Sequence, residues 1–282
     1  MTSGMGCLVL NDSMMKYMGA SFDLAQLICI RGVMAVALLM VIARATGAMS
    51  RLPRIVDRNV GMRVMFDSLT TFLFFGSLMH LPIGNATAIN LASPLMMAMF
   101  AAFFLGERPG LIRWLAIGAG FGGVVMVIQP RIGDFNAWAL MCLAATVFQS
   151  ARDLVTRHIS PEIPAILIAM TSLSFVTVIA TSVVLVQGWQ PVGIRDIGLL
   201  AINAVMLALG YWLIVNSMRH GEVSVVAPFR FSGLLVALAT GFVFWGDVPS
   251  AMAWSGIALL LASGIYLLHE DRIRRVADLP VG

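Results

Sequence analysis

The chain has 282 residues, of which 60% are hydrophobic and only 11% charged. Soluble domains carry roughly 25% charged residues, so this composition excludes a water-clothed globular fold. The formal net charge of +4 comes without any basic run interleaved with aromatics, which argues against a nucleic-acid partner.

Apolar runs of about 20 residues, the length a helix needs to cross a bilayer core, recur along the chain. They predict ten spans, at approximately 2–18, 24–45, 61–80, 84–105, 110–129, 136–157, 163–187, 196–217, 223–246 and 251–269. Segments such as Leu95 to Leu105 are apolar throughout rather than alternating, which excludes the strands of an outer-membrane barrel. The first span is short. From Gly4 to Met18 it covers about 22 Å, against a core of roughly 30 Å. The expectation is that the native helix starts upstream and that 1–282 lacks its opening turns. The competing reading is a short helix ending at a water-filled vestibule. No basic segment precedes the apolar run, which argues against a cleaved signal peptide.

Taken in chain order, the spans carry polar residues that apolar helices rarely hold. A charge in hydrocarbon costs about 2.5–3.5 kcal/mol on insertion scales, which makes each one a candidate for function. The first span holds Asp12 and Lys16, four apart on one face, and the second holds Arg31. Asp67 is the only acid of the third. The fourth has Asn90 and, at Pro94, a residue that removes a backbone hydrogen bond and can kink the helix. Ser93 is placed to satisfy a group so freed. Gly118, Gly120, Gly122 and Gly123 give the fifth a small-residue face for close packing. The sixth carries Gln149, Arg152, Asp153 and Arg157, the eighth Tyr211, Trp212 and Asn216, and the ninth Phe229, Arg230 and Phe231.

The second half repeats the first. Gly106-Glu107-Arg108-Pro109 with Trp114 recurs as Gly246-Asp247-Val248-Pro249 with Trp254, and 246 − 106 = 254 − 114 = 140. Ser77 and His80 recur as Ser217 and His220 at the same offset. Asp12 and Lys16 recur as Asp153 and Arg157 at 141. The expected fold is therefore an all-α integral membrane protein, ten transmembrane helices as two inverted five-helix repeats, 1–130 and 131–282. An odd number of helices per repeat inverts the second copy. With the N-terminus inside, Arg44, Arg51, Arg54, Arg58, Arg63, Arg108, Arg113, Arg157, Arg219, Arg272, Arg274 and Arg275 fall on the cytoplasmic side. Lys16, Arg131 and Arg195 fall outside. Cys7, Cys29 and Cys142 lie within apolar runs and behave as small hydrophobes. His80, His158, His220 and His269 stand singly, so no metal or other cofactor is expected.

Two fused repeats, each with a Gly-acid-x-Pro turn before its last helix, resemble the EamA group of the drug/metabolite transporter superfamily. Asn11-Asp12-Ser13-Met14-Met15-Lys16, Arg31-Gly32 and Pro228-Phe229-Arg230-Phe231 are similar to members that handle riboflavin or S-adenosylmethionine. The resemblance implies a ten-helix carrier with both termini cytoplasmic and a central cavity that opens alternately to each side.

The expected function is secondary transport of a small organic metabolite, a vitamin, nucleoside-like or amino-acid-like molecule, across the cytoplasmic (inner) membrane. A channel or a non-transporting scaffold is the alternative. An intramembrane enzyme lacks support, because no convincing nucleophile–base pair, aspartate dyad or His-Glu-x-x-His helix is present. Arg31, Asp67, Asn90, Gln149, Tyr211, Trp212, Asn216 and Arg230 are the candidate cavity residues. Asp12, Lys16, Asp153 and Arg157 are candidates for gating or for local ion pairs. Asp67 is either a proton carrier or the fixed counter-ion of a buried arginine. Expected partners are the metabolite, the bilayer and a coupling proton, in a monomer or a homodimer.

Overall fold

The computed structural model describes residues 1–104, 110–129, 136–156, 158–220 and 231–277. Among them there is no strand. Eleven α-helices follow one another: α1 (Thr2–Met18), α2 (Leu24–Ala45), α3 (Arg58–Leu78), α4 (Ile83–Asn90), α5 (Ser93–Phe104), α6 (Leu111–Ile128), α7 (Ala137–Thr156), α8 (Ala165–Gln187), α9 (Ile194–His220), α10 (Ser232–Trp245) and α11 (Ala251–Ala277). A 3₁₀ segment, Ala48–Ile55, joins α2 to α3. Six stretches among the described residues are long and apolar enough to cross a membrane: Leu24–Ala45, Ile83–Phe100, Leu111–Ile128, Ala165–Gln187, Ile194–Tyr211 and Ala251–Glu270. The helices that carry Asp12, Asp67 and Arg152, namely α1, α3 and α7, are outside this set. Large apolar side chains such as Val41, Leu185 and Phe242 point outward, as they do on a surface bathed by lipid.

The fourth expected span is broken rather than bent. α4 stops at Asn90, the chain turns at Leu91 and Ala92, and α5 starts at Ser93. Pro94 then lies in the first turn of a new helix, where its missing N–H has no partner to lose. Ser93 has a different use from the one expected. Its carbonyl and hydroxyl oxygens accept from the Ser150 hydroxyl on α7, at 3.3 and 3.2 Å. The break is therefore tied across to the other half of the chain. Of the four glycines on α6, two meet a neighbour closely. A Cβ on Gly123 would lie 2.6 Å from the Gly256 carbonyl oxygen, and one on Gly256 would lie 2.6 Å from that of Gly123. Gly120 is pressed by Leu95, whereas Gly118 faces open space and Gly122 has only an ordinary contact with Leu259.

Connector contacts sort the helix ends into two sets. At one end Arg51 donates to the Glu162 carbonyl (2.8 Å), Arg54 forms an ion pair with Glu162, and Asn59 reaches the His158 carbonyl. At the other, the Gln26 side chain donates to the Gln190 carbonyl at 2.8 Å and accepts from the Gln190 backbone N–H at 3.0 Å, and Gln129 bonds Ser250. α1 packs on α9 and α10, α2 on α8 and α9, α3 on α7 and α8, α4 on α7 and α10, α5 on α7, and α6 on α11. Exchanging α1–α6 for α7–α11, with α4 and α5 standing against α10, carries these pairings onto one another.

Candidate functional site

Three polar tiers lie along the bundle. The first is nearest the end where Arg54 meets Glu162. Arg152 on α7 donates from Nη1 to Asp67 Oδ1 on α3 at 2.5 Å, and from Nε and Nη2 to Asp153 Oδ1 at 3.0 and 2.9 Å. These side chains are 15%, 6% and 25% exposed. Arg63, one helical turn from Asp67 and also buried, donates to the Thr156 hydroxyl at 3.0 Å and the Ser172 hydroxyl at 2.6 Å. The i, i+4 spacing of Arg63 and Asp67 turns both toward α7 and α8. Paired and bonded, these charges avoid the heavy cost of isolated ions in an apolar interior. Tyr211 on α9 lies within electrostatic reach of Asp67, Arg152 and Arg63.

The second tier is built on α1, α2 and α9. Asn11 stands between a cation and an anion. Its Oδ1 accepts from Arg31 Nη1 at 3.2 Å and its Nδ2 donates to Asp12 Oδ1 at 2.9 Å. Asn203 Nδ2 donates to the Asn11 carbonyl at 2.8 Å. The Arg31 guanidinium lies 4.8 Å from the centre of the Phe75 ring, a cation–π contact that favours a desolvated cation. Arg31 is 3% exposed and Asn203 fully buried, yet among the described residues Arg31 Nε and Asn203 Oδ1 have no hydrogen-bond partner.

The third tier is at the opposite end. Lys16 donates to the Leu81 carbonyl, lies 5.2 Å from the Trp245 ring centre and feels the charge of Asp247. A cavity of about 190 Å³ beside it is lined by Asn85, Gln129, Asp247 and Ser250 among others. Asp12 and Lys16 thus share a face but take different partners. Ser13, between them, bonds Thr240 on α10 at 3.1 Å.

Of the residues expected to line a cavity, the structure brings Arg31 together with Asp12, and Asp67 with Asp153 and Tyr211. Asp67 pairs with Arg152, not with Arg31. Asn90 ends α4 at the break, and Gln149 is half-buried one turn before Arg152. Among the described residues neither makes a side-chain hydrogen bond. Arg157 and Arg230 lie outside the described residues, as do the side chains of Trp212 and Asn216 and the turn at 106–109. The sequence reading named Asn11 only as part of a family motif, passed over Asn203 and counted Arg63 only among the charges on the cytoplasmic side. The signal was present in the repeat. The offsets 152 − 11, 153 − 12 and 172 − 31 are all 141, and 203 − 63 is 140. The first two tiers are therefore built from equivalent positions of the two halves.

The model of the EamA-like transporter family matches twice, at residues 4–129 and 136–268. The pseudopaline exporter CntI of Pseudomonas aeruginosa is 25% identical over 93% of this chain and 92% of its own length. A riboflavin transporter of Rhizobium johnstonii is 26% identical over 75% of this chain and 70% of its own. An S-adenosylmethionine uptake transporter of Rickettsia bellii is 22% identical over 74% and 71%. A solved crystal structure shares the fold over 94% of this chain and 95% of its own, with a TM-score of 0.60 at 17% identity. With both halves matched, the chain belongs to the EamA-like transporter family.

Proposed function

We propose that this protein is a secondary carrier that moves a small organic metabolite across the cytoplasmic membrane by alternating access, built as two inverted five-helix repeats. The observation that carries the reading is the pair of buried polar tiers. They occupy equivalent positions of the two halves and lie toward opposite ends of the bundle. Inverted repeats place their substrate site between the repeats near the bilayer midplane. Two features support that architecture: the double family match and the exchange of helix pairings between halves. The relatives named above are all named as transporters or exporters, and their cargoes are metabolites.

Alternating access needs a barrier that can open at each end. Arg152 bridges α3 and α7 through Asp67, so passage at that end requires those helices to part. Lys16 ties α1 to the α3–α4 connector and to Trp245 at the end of α10. The basic connector with Arg51, Arg54 and Arg58 supports a cytoplasmic placement of the first of these ends and of both termini.

Two experiments test the proposal. In proteoliposomes loaded with unlabelled riboflavin, S-adenosylmethionine or an amino acid, a carrier drives transient accumulation of the same labelled compound. Uptake that never exceeds equilibration, while the compound crosses freely, means a channel. For orientation, Ile55→Cys in a chain freed of Cys7, Cys29 and Cys142 should resist a membrane-impermeant maleimide in intact cells, whereas Gln190→Cys should label. The reverse pattern inverts the topology.

A further inference from the structure

Buried polar groups are almost always partnered, and the second tier departs from that rule twice within one cluster. Arg31 uses Nη1 on Asn11 and leaves Nε, a charged donor, with nothing to donate to. Asn203 uses Nδ2 on the Asn11 carbonyl, and this fixes Oδ1 as the free end, an acceptor with nothing to accept. One buried donor atom and one buried acceptor atom thus go unused, on two side chains that are both held by Asn11.

The charges here are also kept apart. In the first tier Arg152 contacts both its carboxylates directly at 2.5–3.0 Å. In the second, the Asn11 amide stands between Arg31 and Asp12 and bonds to each. Attraction between opposite charges is strong in a low-dielectric interior, so a cation and an anion held apart by an amide form a fixed dipole. The ligand that such a dipole fits best carries the opposite arrangement: an anion for Arg31 and a cationic donor for Asn203 Oδ1 and Asp12.

We propose that Arg31, Asn11, Asp12 and Asn203 recognise the amino-carboxylate head of a zwitterionic substrate, the carboxylate on Arg31 Nε and the ammonium on Asn203 Oδ1. The assignment rests on the carrier reading above and adds the substrate class to it. The tier is neutral as a whole, with one cation and one anion, so a zwitterion enters without leaving a net charge in the membrane. A simple anion would leave a net charge there, and so would a simple cation. The Phe75 ring, 4.8 Å from the Arg31 guanidinium carbon, favours a cation held at this position. The tier lies on three helices, and in this conformation its orphan atoms are sealed from solvent. Access therefore requires α1 or α2 to move relative to α9.

The test uses the purified full-length chain in detergent and thermal unfolding as the readout. The probes are the proteinogenic L-amino acids and S-adenosylmethionine at millimolar concentration. Each is set against a partner that lacks half of the head: the methyl ester, the decarboxylated amine and, for S-adenosylmethionine, 5′-methylthioadenosine. At least one zwitterion should raise Tm by about 3 °C, and its two truncated partners should not. Arg31→Lys keeps the charge but removes Nε, and should reduce the shift to under about one third. No shift with any zwitterion overturns the assignment, and so does an equal shift with an ester or an amine. The two readings fail separately. If riboflavin or another compound without an amino-carboxylate shows counterflow that Arg31→Lys abolishes, the carrier stands and the zwitterion site falls. If no probe exchanges in proteoliposomes although a zwitterion stabilises the protein, the site stands and the carrier reading falls.

Discussion

The two polar tiers begin from equivalent positions and end in opposite conditions. Positions 152, 153, 172 and 63, with Asp67 and Thr156, form a closed set in which two arginines meet two carboxylates and two hydroxyls directly. Positions 11, 12, 31 and 203 form an open set in which an amide separates the charges and two polar atoms go unpaired. Each tier draws residues from both halves, so the divergence separates two levels of the bundle: one is bonded throughout, and in the other two buried polar atoms are left without a partner among the described residues. The difference lies in the side chains, since the helices that carry them pair in the same pattern.

The largest expected effect follows from breaking the closed tier. Arg152→Gln leaves Asp67 and Asp153 beside each other without their cation. Removing one member of a buried ion pair costs about 3–5 kcal/mol, so thermal unfolding in detergent should fall by many degrees and membrane yield with it. Adding Asp67→Asn to Arg152→Gln removes the stranded charge and should recover part of the loss, measurable as a double-mutant cycle. An unchanged Tm for Arg152→Gln would mean that the closed tier contributes nothing to cohesion.

The open tier should respond in the other observable. Arg31 has one side-chain hydrogen bond, of 3.2 Å, and one ring contact. Arg31→Gln should therefore change stability by no more than about 1 kcal/mol. Exchange should fall at least tenfold, which is about 1.4 kcal/mol of lost transition-state stabilisation. The comparison collapses if Arg31→Gln destabilises the protein as strongly as Arg152→Gln while the residual folded fraction exchanges at the normal rate.

Much of the architecture was legible in the sequence because hydrocarbon imposes it. Runs of about 20 apolar residues have few alternatives to helix, and the 140-residue offset between the two Gly-acid-x-Pro turns pointed to a repeat. The break at Leu91 was harder to see, because a proline in an apolar run reads equally as a kink or as a first turn. Partners were harder still. The i, i+4 spacing of Asp12 and Lys16 suggested a local pair, but Leu81, Trp245 and Asn11 come from other places in the chain or along the helix. Arg63 counted only as a charge on the cytoplasmic side because it lies close to a basic connector, and only the packing of α3 on α7 and α8 shows that it is buried. Asn203 carried no charge to draw attention, and its importance rests on an unpaired atom that spacing cannot reveal.

The smallest expected effect compares one position across the two halves. Arg63 and Asn203 are equivalent at the 140 offset, but Arg63 holds Thr156 and Ser172, whereas Asn203 holds only the Asn11 carbonyl. That carbonyl belongs to a residue inside α1, and so has a helical N–H as well as Asn203 in its surroundings. Asn203→Leu removes one 2.8 Å hydrogen bond together with the polar atom that had no partner, and the two changes oppose each other. The net loss should stay within about 1 kcal/mol, a change of a few degrees or less in Tm. Arg63→Met, at the equivalent position, removes a cation from between two hydroxyls and from the field of Asp67 and should cost more. If the two substitutions destabilise equally, the tiers do the same structural work, and the unpaired oxygen of Asn203 is no sign of a ligand. If Asn203→Leu leaves Tm in place but removes the stabilisation given by a zwitterionic amino acid, the open tier is set apart from the closed one by what it binds.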